Sequence, residues 1–137
     1  MKFLILSLSL LALPLFAEPD TITAGECKFT TAKSSFGDEL NIAVAKGEDV
    51  IGFSIPAHLV PLKDGIYYSI ATSSREDATI RYKKGVLTLY HKNNTDFLDS
   101  QTLTVWVNSD LTQPTFAKWS HKIGPFPLSL WSTRCKF

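Results

Sequence analysis

Short runs of alternating apolar and polar residues dominate the chain between residues 86 and 107. The run 102–107 has leucine or valine at each odd position and threonine or tryptophan at each even position. Successive side chains of a β-strand leave opposite faces of the sheet, so this period of two predicts a strand with one buried and one outward face. The preceding run, 86–90, is also rich in β-branched and aromatic residues. The two runs therefore predict a strand pair at the centre of the molecule.

Similar runs recur on both sides of this pair at roughly ten-residue spacing, with turn signals between them. Residues 40–55 predict a hairpin, and Gly65 and Gly85 mark further turns because glycine accepts a positive φ without steric cost. The predicted strands span residues 27–31, 40–45, 51–55, 66–71, 79–82, 86–90, 102–107, 116–123 and 128–137. The sequence thus predicts an all-β fold, a single antiparallel β-sandwich or small barrel of about eight or nine short strands.

The first seventeen residues differ from the rest of the chain. Lys2 is followed by an apolar run over residues 3–16, and Ala17 precedes a polar stretch. A positive start, an apolar middle and a small final residue are typical of a cleaved secretory signal peptide. An uncleaved membrane anchor is the alternative, but an apolar run of about 21 Å is shorter than the roughly 30 Å hydrocarbon core. We expect a signal peptide over 1–17 and one β-sandwich domain over 18–137, with no stable membrane span after cleavage.

The sequence contains two cysteines, Cys27 and Cys135, one near each end of the expected mature chain. In an oxidising compartment an even pair predicts a disulfide, which agrees with a signal peptide and with a secreted or periplasmic location. Two free thiols are the alternative, and the spacing does not fit a C-x-x-C redox motif. A disulfide requires the first and last core strands to approach within about 7 Å between Cα atoms.

Candidate catalytic and metal-binding residues show no recognisable spacing. The sequence has no Gly-x-Ser-x-Gly motif and no phosphate-binding glycine loop. The three histidines, His58, His91 and His121, are too far apart in sequence to share a metal site locally. Removal of Lys2 with the leader lowers the formal charge from +1 to zero, so charge gives no reason to expect nucleic acid as a partner. The sequence predicts no catalytic residue, no metal, no cofactor and no enzymatic activity.

Aromatic residues are concentrated in the last third of the chain. Trp106 is on the polar side of its strand, so it faces solvent beside Tyr90 if the aliphatic side is the core. Outward aromatic side chains are typical of binding surfaces, because they combine a large apolar area with a polar end. The alternative is that both faces of the sheet are covered. The predicted binding residues are Trp106, Tyr90, Phe126 and Trp119.

Chain length, strand-rich architecture and the missing catalytic motifs favour an exported, non-enzymatic binding protein with another protein as its partner. A periplasmic or extracellular inhibitor, an immunity-type protein and an adhesive module are versions of this hypothesis, all acting through an aromatic-bearing sheet face. A β-barrel carrier of a small apolar ligand is the first alternative and requires an internal void. A small secreted hydrolase without a recognisable motif is the second, and it requires a histidine and a carboxylate with perturbed pKa in a cleft.

Overall fold

The structure is a computed structural model that describes residues 20–71, 76–93, 99–123 and 129–137. The predicted signal peptide and Phe126 lie outside these residues. One turn of 3-10 helix covers Ala57–Leu59. The ten strands are β1 (Asp20–Ala24), β2 (Cys27–Lys33), β3 (Glu39–Lys46), β4 (Asp49–Pro56), β5 (Gly65–Ala71), β6 (Glu76–Lys83), β7 (Val86–Asn93), β8 (Asp99–Val107), β9 (Pro114–Ile123) and β10 (Ser129–Lys136).

The strands form two antiparallel sheets in which neighbours in space are also neighbours in sequence. Strands β1 to β4 make a four-stranded sheet, and strands β5 to β10 make a six-stranded sheet. Antiparallel strands can be joined by short turns, so each sheet follows directly from the succession of strand and turn signals along the chain. Residues 57–64 carry the chain from one sheet to the other. The predicted antiparallel β-sandwich is confirmed.

The inner faces of the two sheets meet in one hydrophobic core. On β8 the odd-numbered residues Leu103, Val105 and Val107 are buried, whereas the even-numbered residues are only partly buried. The alternation seen in the sequence therefore separates the core side of this strand from its outer side. The buried core residues are Cys27, Phe29, Ile42, Val44, Ile51, Ile55, Leu62, Ile80, Tyr82, Leu87, Leu89, Leu103, Val105, Val107, Leu111, Ala117, Trp119 and Cys135.

The sequence prediction differs from the structure at two places. Strand β1 was not predicted, because Ile22 is its only large apolar residue, and it forms an edge strand opposite β2. The predicted polar interruption over residues 91–101 is shorter, since β7 continues to Asn93 and β8 begins at Asp99. Backbone hydrogen bonding thus extends this hairpin beyond the last residues with strand-forming side chains.

The predicted disulfide between Cys27 and Cys135 is confirmed. It joins β2 of the four-stranded sheet to β10 of the six-stranded sheet, with 5.7 Å between the two Cα atoms. Both cysteines are buried in the core. The first core strand and the last strand are therefore held together across the two layers, as the sequence required.

Replacing both cysteines by alanine is expected to lower the free energy of unfolding by about 4.7 kcal/mol, because the bond closes a loop of about a hundred residues in the unfolded chain. Urea denaturation of the oxidised protein, the reduced protein and the Cys27→Ala/Cys135→Ala variant measures this. The reduced protein and the variant should agree. A loss below about 1 kcal/mol in both would contradict the chain-entropy account of this bond.

Tyr82 connects two strands of the six-stranded sheet from inside the core. Its hydroxyl donates a hydrogen bond to the backbone carbonyl of Val107, with 2.9 Å between the oxygens. Burial, and then the negative charge of Asp64, raise the pKa of Tyr82 above its ordinary value. The same two causes raise the pKa of Tyr67. The folded state therefore holds both phenolic protons more tightly than the unfolded chain does.

The stability that Tyr82 contributes is expected to be complete below the unfolded pKa of about 10 and to be lost as the pH rises through the folded pKa. Tyr82→Phe should reduce this alkaline loss without abolishing it, since Tyr67 remains. At neutral pH the variant should lose about 0.5–1.5 kcal/mol with the hydrogen bond. Urea denaturation between pH 7 and 11 checks both expectations. If Tyr82→Phe lost as much stability between pH 7 and 11 as the natural sequence does, Tyr82 would not be a source of the pH dependence.

Candidate functional site

The even-numbered residues of β8 point away from the core, and the strand register extends this surface over the whole six-stranded sheet. Trp106 lies opposite Val86 on one side and Phe116 on the other. Residues directly opposite each other in antiparallel strands share a face. The outer face consists of Ile66, Ser69, Asp77, Thr79, Arg81, Lys83, Val86, Thr88, Tyr90, Lys92, Ser100, Thr102, Thr104, Trp106, Phe116, Lys118, Ser120, Lys122, Ser132, Arg134 and Lys136.

Trp106 is the centre of an aromatic group at one end of the outer face. Its ring meets that of Phe116 edge to face, with 5.2 Å between the centroids. The Lys118 ammonium lies 5.7 Å from the centroid of the Trp106 ring. Edge-to-face rings and a cation near an indole face are both favourable arrangements. Trp106 is thus placed outside the core, partly buried by its own neighbours on the sheet.

Tyr90 shares the outer face with Trp106 but lies at some distance from it. It pairs with Thr79 and Thr102, whereas Trp106 pairs with Val86 at the start of β7. Four residues of antiparallel strand span about 13–14 Å, so the two aromatic side chains do not form one cluster. The structure therefore gives the outer face two separate aromatic positions, with threonines between them.

Trp119 lies in the core rather than on the outer face. Only 3% of its surface is exposed, and its strand register places it between Leu103 and Thr133 on the inner side. The alternation of β9 indicates this side, because Ala117 is also buried whereas Lys118 is exposed. Trp119 therefore packs in the core, on the inner side of the six-stranded sheet. Phe126, the remaining predicted binding residue, is outside the described residues.

The carboxylate of Asp49, at the start of β4, connects the two sheets next to the disulfide. Its Oδ1 accepts a hydrogen bond from the Trp119 indole nitrogen at 3.2 Å, and its Oδ2 accepts one from the Thr133 hydroxyl. Hydrogen bonds to an ionised acceptor are stronger than those between neutral groups. One carboxylate thus satisfies a buried indole and a hydroxyl on two neighbouring strands of the opposite sheet.

Asp49→Ala is expected to lower the free energy of unfolding by about 1–3 kcal/mol, because the Trp119 indole nitrogen and the Thr133 hydroxyl lose their acceptor. Glu48→Ala is the matched control, since it removes the neighbouring carboxylate from an exposed turn position. The control should change stability by no more than about 0.5 kcal/mol. Equal effects of the two substitutions in urea denaturation would show that Asp49 has no special role.

Positive charge is concentrated on the outer face, although the whole chain has a formal charge of only +1. The corresponding outer side of the four-stranded sheet has one cation, Lys28, and one carboxylate, Glu39. On the outer face of the six-stranded sheet, Asp77 occupies the register position opposite Lys92, so one carboxylate residue belongs to this face. The outer face carries seven cations on four strands: Arg81, Lys83, Lys92, Lys118, Lys122, Arg134 and Lys136.

Sequence reasoning missed this cationic surface because it used the net charge of the chain. Positive and negative charges cancel in the net charge of the chain. The cations are seen to share one face only when the strands are placed in register. A usable signal was present, since Lys118 and Lys122 share the side of β9 opposite the buried Ala117. The sequence alone did not show the strand register that places Arg134 opposite Lys118.

On the part of the outer face that the structure describes, two clefts open to solvent. One of about 250 Å³ is lined by Thr102, Thr104, Lys118, Trp119, Ser120, Ser132 and Arg134. Another of about 340 Å³ is lined by Arg81, Lys83, Lys84, Val86 and Thr88. A cleft of about 330 Å³ at one end of the sandwich is formed around Leu40, Val60 and Leu111, with Asp20, Lys33 and Asp110 also lining it. Both clefts on the outer face thus combine cations with hydroxyl groups.

No group of three histidine, cysteine, aspartate or glutamate residues that could hold a metal ion occurs in the part of the chain that the structure describes. Within the same ranges, no helix has the length and apolar character needed to cross a bilayer. No protein-family model, curated protein or solved structure matches the chain. The functional interpretation therefore depends on the outer face itself.

Proposed function

We propose that the chain is an exported, non-enzymatic binding protein that contacts a macromolecular partner through the outer face of its six-stranded sheet. The observation that carries the proposal is the position of Trp106, which lies outside the core in contact with Phe116 and Lys118. An aromatic ring held on a rigid sheet is suited to binding because it loses little conformational entropy when it meets a partner, and the neighbouring cations add electrostatic attraction.

The two sides of the sandwich differ in what they offer to a partner. On the outer side of the four-stranded sheet, the centre is formed by small residues, among them Ala43, Ala45 and Gly52. The outer face of the six-stranded sheet instead has long cationic and aromatic side chains, with threonines between them. This difference supports the six-stranded sheet as the binding side.

Export is part of the proposal. The predicted signal peptide over residues 1–17 directs the chain to a secreted or periplasmic location, where the Cys27–Cys135 disulfide would persist. An inhibitor, an immunity-type protein and an adhesive module all fit such a location. Mass spectrometry of the exported protein should give a chain that begins at Glu18.

The carrier hypothesis has less support. The cleft that opens between the two sheets near Phe53, Tyr68 and Leu89 has a volume of about 120 Å³. Pockets for small ligands usually have volumes of about 300–1,000 Å³ and enclose most of the ligand. The larger clefts lie at the end of the sandwich and on the outer face, where they are open to solvent.

Affinity capture with the oxidised protein, produced with its own leader and purified after export, tests the proposal. Trp106→Ala should reduce capture of the partner at least about tenfold, as expected when a central aromatic contact worth about 1.4 kcal/mol or more is lost. Phe36→Ala is the matched control, because Phe36 is 93% exposed in the turn between β2 and β3. The control should capture the partner as the natural sequence does.

The stability of Trp106→Ala must be measured in parallel. We expect a loss below about 3 kcal/mol, since larger losses are typical of aromatic residues in a core. Capture of the same partner in the same amount by Trp106→Ala and by the natural sequence would contradict a binding role for the outer face. Turnover of a substrate by the purified protein would contradict the non-enzymatic part of the proposal.

A further inference from the structure

Two rows of cations border the centre of the outer face, and we call the strip between them the trough and the two rows its walls. One wall is formed by β9 and β10, where Lys118 lies opposite Arg134. The other wall is formed by the end of β6, where Arg81 and Lys83 lie on the same side of the strand as Thr79. Arg81, Lys83, Lys118 and Arg134 are all exposed, so their charged ends reach the solvent.

The floor, by which we mean the residues between the walls, carries hydroxyl groups, most of them on short side chains. Thr88 and Thr104 lie opposite each other at its centre, and Tyr90 and Thr102 form the next pair along the strands. Arg81 lies opposite Thr88 on one side, and Lys118 lies opposite Thr104 on the other. Three strand spacings of about 4.8 Å separate β6 from β9, so the trough is about 14 Å wide. The six residue-to-residue steps from Val86 to Lys92 make it about 20 Å long.

The composition of the trough argues against a protein partner, so this inference develops the adhesive module among the versions of the proposed function. The cores of protein–protein interfaces are enriched in aromatic residues and arginine and depleted in lysine and serine. Here five of the seven cations are lysines. Lysine is a compact point charge on a flexible stem, which suits an anionic group whose position varies along a polymer. The serine and threonine residues of the outer face are Ser69, Thr79, Thr88, Ser100, Thr102, Thr104, Ser120 and Ser132.

The hydroxyl floor also distinguishes a sugar polymer from a nucleic acid. Each serine or threonine hydroxyl both donates and accepts a hydrogen bond, and a sugar hydroxyl does the same. Binding of single-stranded nucleic acid instead uses aromatic side chains on which successive bases stack. Trp106 and Tyr90 are about 13 Å apart along the strands, with threonines between them, so they do not form such a series.

We propose that the outer face binds an anionic polysaccharide, a polymer of sugars that carry carboxylate or sulfate groups. The anionic groups would meet the cationic walls at the clefts beside Lys118 and Arg134 and beside Arg81 and Lys83. The sugar hydroxyls would meet the threonines of the floor. This inference rests on the proposed function and adds the chemistry of the partner to it.

Titration calorimetry of the full exported protein with polygalacturonate tests the inference, with neutral dextran as the uncharged comparison. We expect binding to polygalacturonate at 50 mM salt and none to dextran. If four cations are neutralised with a slope of about −0.7 each, raising the salt to 200 mM should weaken binding about 50-fold. Binding of both polymers alike, or of neither, would overturn the inference.

Charge reversal locates the binding surface. Lys118→Glu/Arg134→Glu should weaken binding to polygalacturonate at least tenfold, because one wall of the trough becomes acidic. Lys28→Glu/Lys33→Glu is the matched control, since it makes the same change of net charge at exposed residues of β2. The control should change affinity less than about threefold. Equal weakening by both variants would overturn the inference, and thermal unfolding establishes that each variant is folded.

Hydroxyl removal separates sugar recognition from attraction to any polyanion. Thr88→Val/Thr104→Val keeps the charge of the trough and should weaken polygalacturonate binding at least about fivefold. Tighter binding of poly-glutamate or of a single-stranded oligonucleotide than of polygalacturonate would overturn the inference. In that case capture of a partner that depends on Trp106 would still support the proposed function, so the two failures are distinguishable.

Discussion

The architecture depends on how two sheets that share no strand are kept in contact. Each sheet is a simple succession of hairpins, and only residues 57–64 connect one to the other along the chain. The Cys27–Cys135 bond joins the layers at β2 and β10, and the Asp49 carboxylate joins them beside it. Between these contacts the inner side chains form one continuous core. Hydrophobic burial supplies the attraction between the layers, and the two specific contacts fix which strands meet.

Fixing the layers also fixes the outer face. A strand has two sides, so whichever residues enter the core leave their neighbours outside. A shift of one residue in the register of β8 would move Trp106 and Thr104 inside and Leu103 and Val105 outside. The core and the proposed binding surface are therefore specified by the same alternation. The sheet can carry polar and cationic residues outside because its aliphatic residues already determine the register.

Much of the fold could be predicted from local sequence. The alternation of Leu103, Val105 and Val107 identified a strand and its buried side, and the two cysteines identified the contact between the ends of the domain. Strand β1 was missed because Ile22 alone among its residues has a large apolar side chain. An edge strand of this kind is stabilised by backbone pairing with β2, which leaves little trace in side-chain periodicity.

Less of the candidate site could be predicted, because it is a property of register rather than of any segment. The even position of Trp106 predicted its side of the sheet, while Trp119 was grouped with it although its odd position beside Ala117 indicates the core. The cationic trough is assembled from strands up to fifty residues apart, and its charge is cancelled in the chain total by carboxylates elsewhere. Net charge describes how a protein behaves at long range, where positive and negative sites are not resolved. Within about 8–10 Å, the screening length near physiological salt, a partner meets the local charge of one face instead.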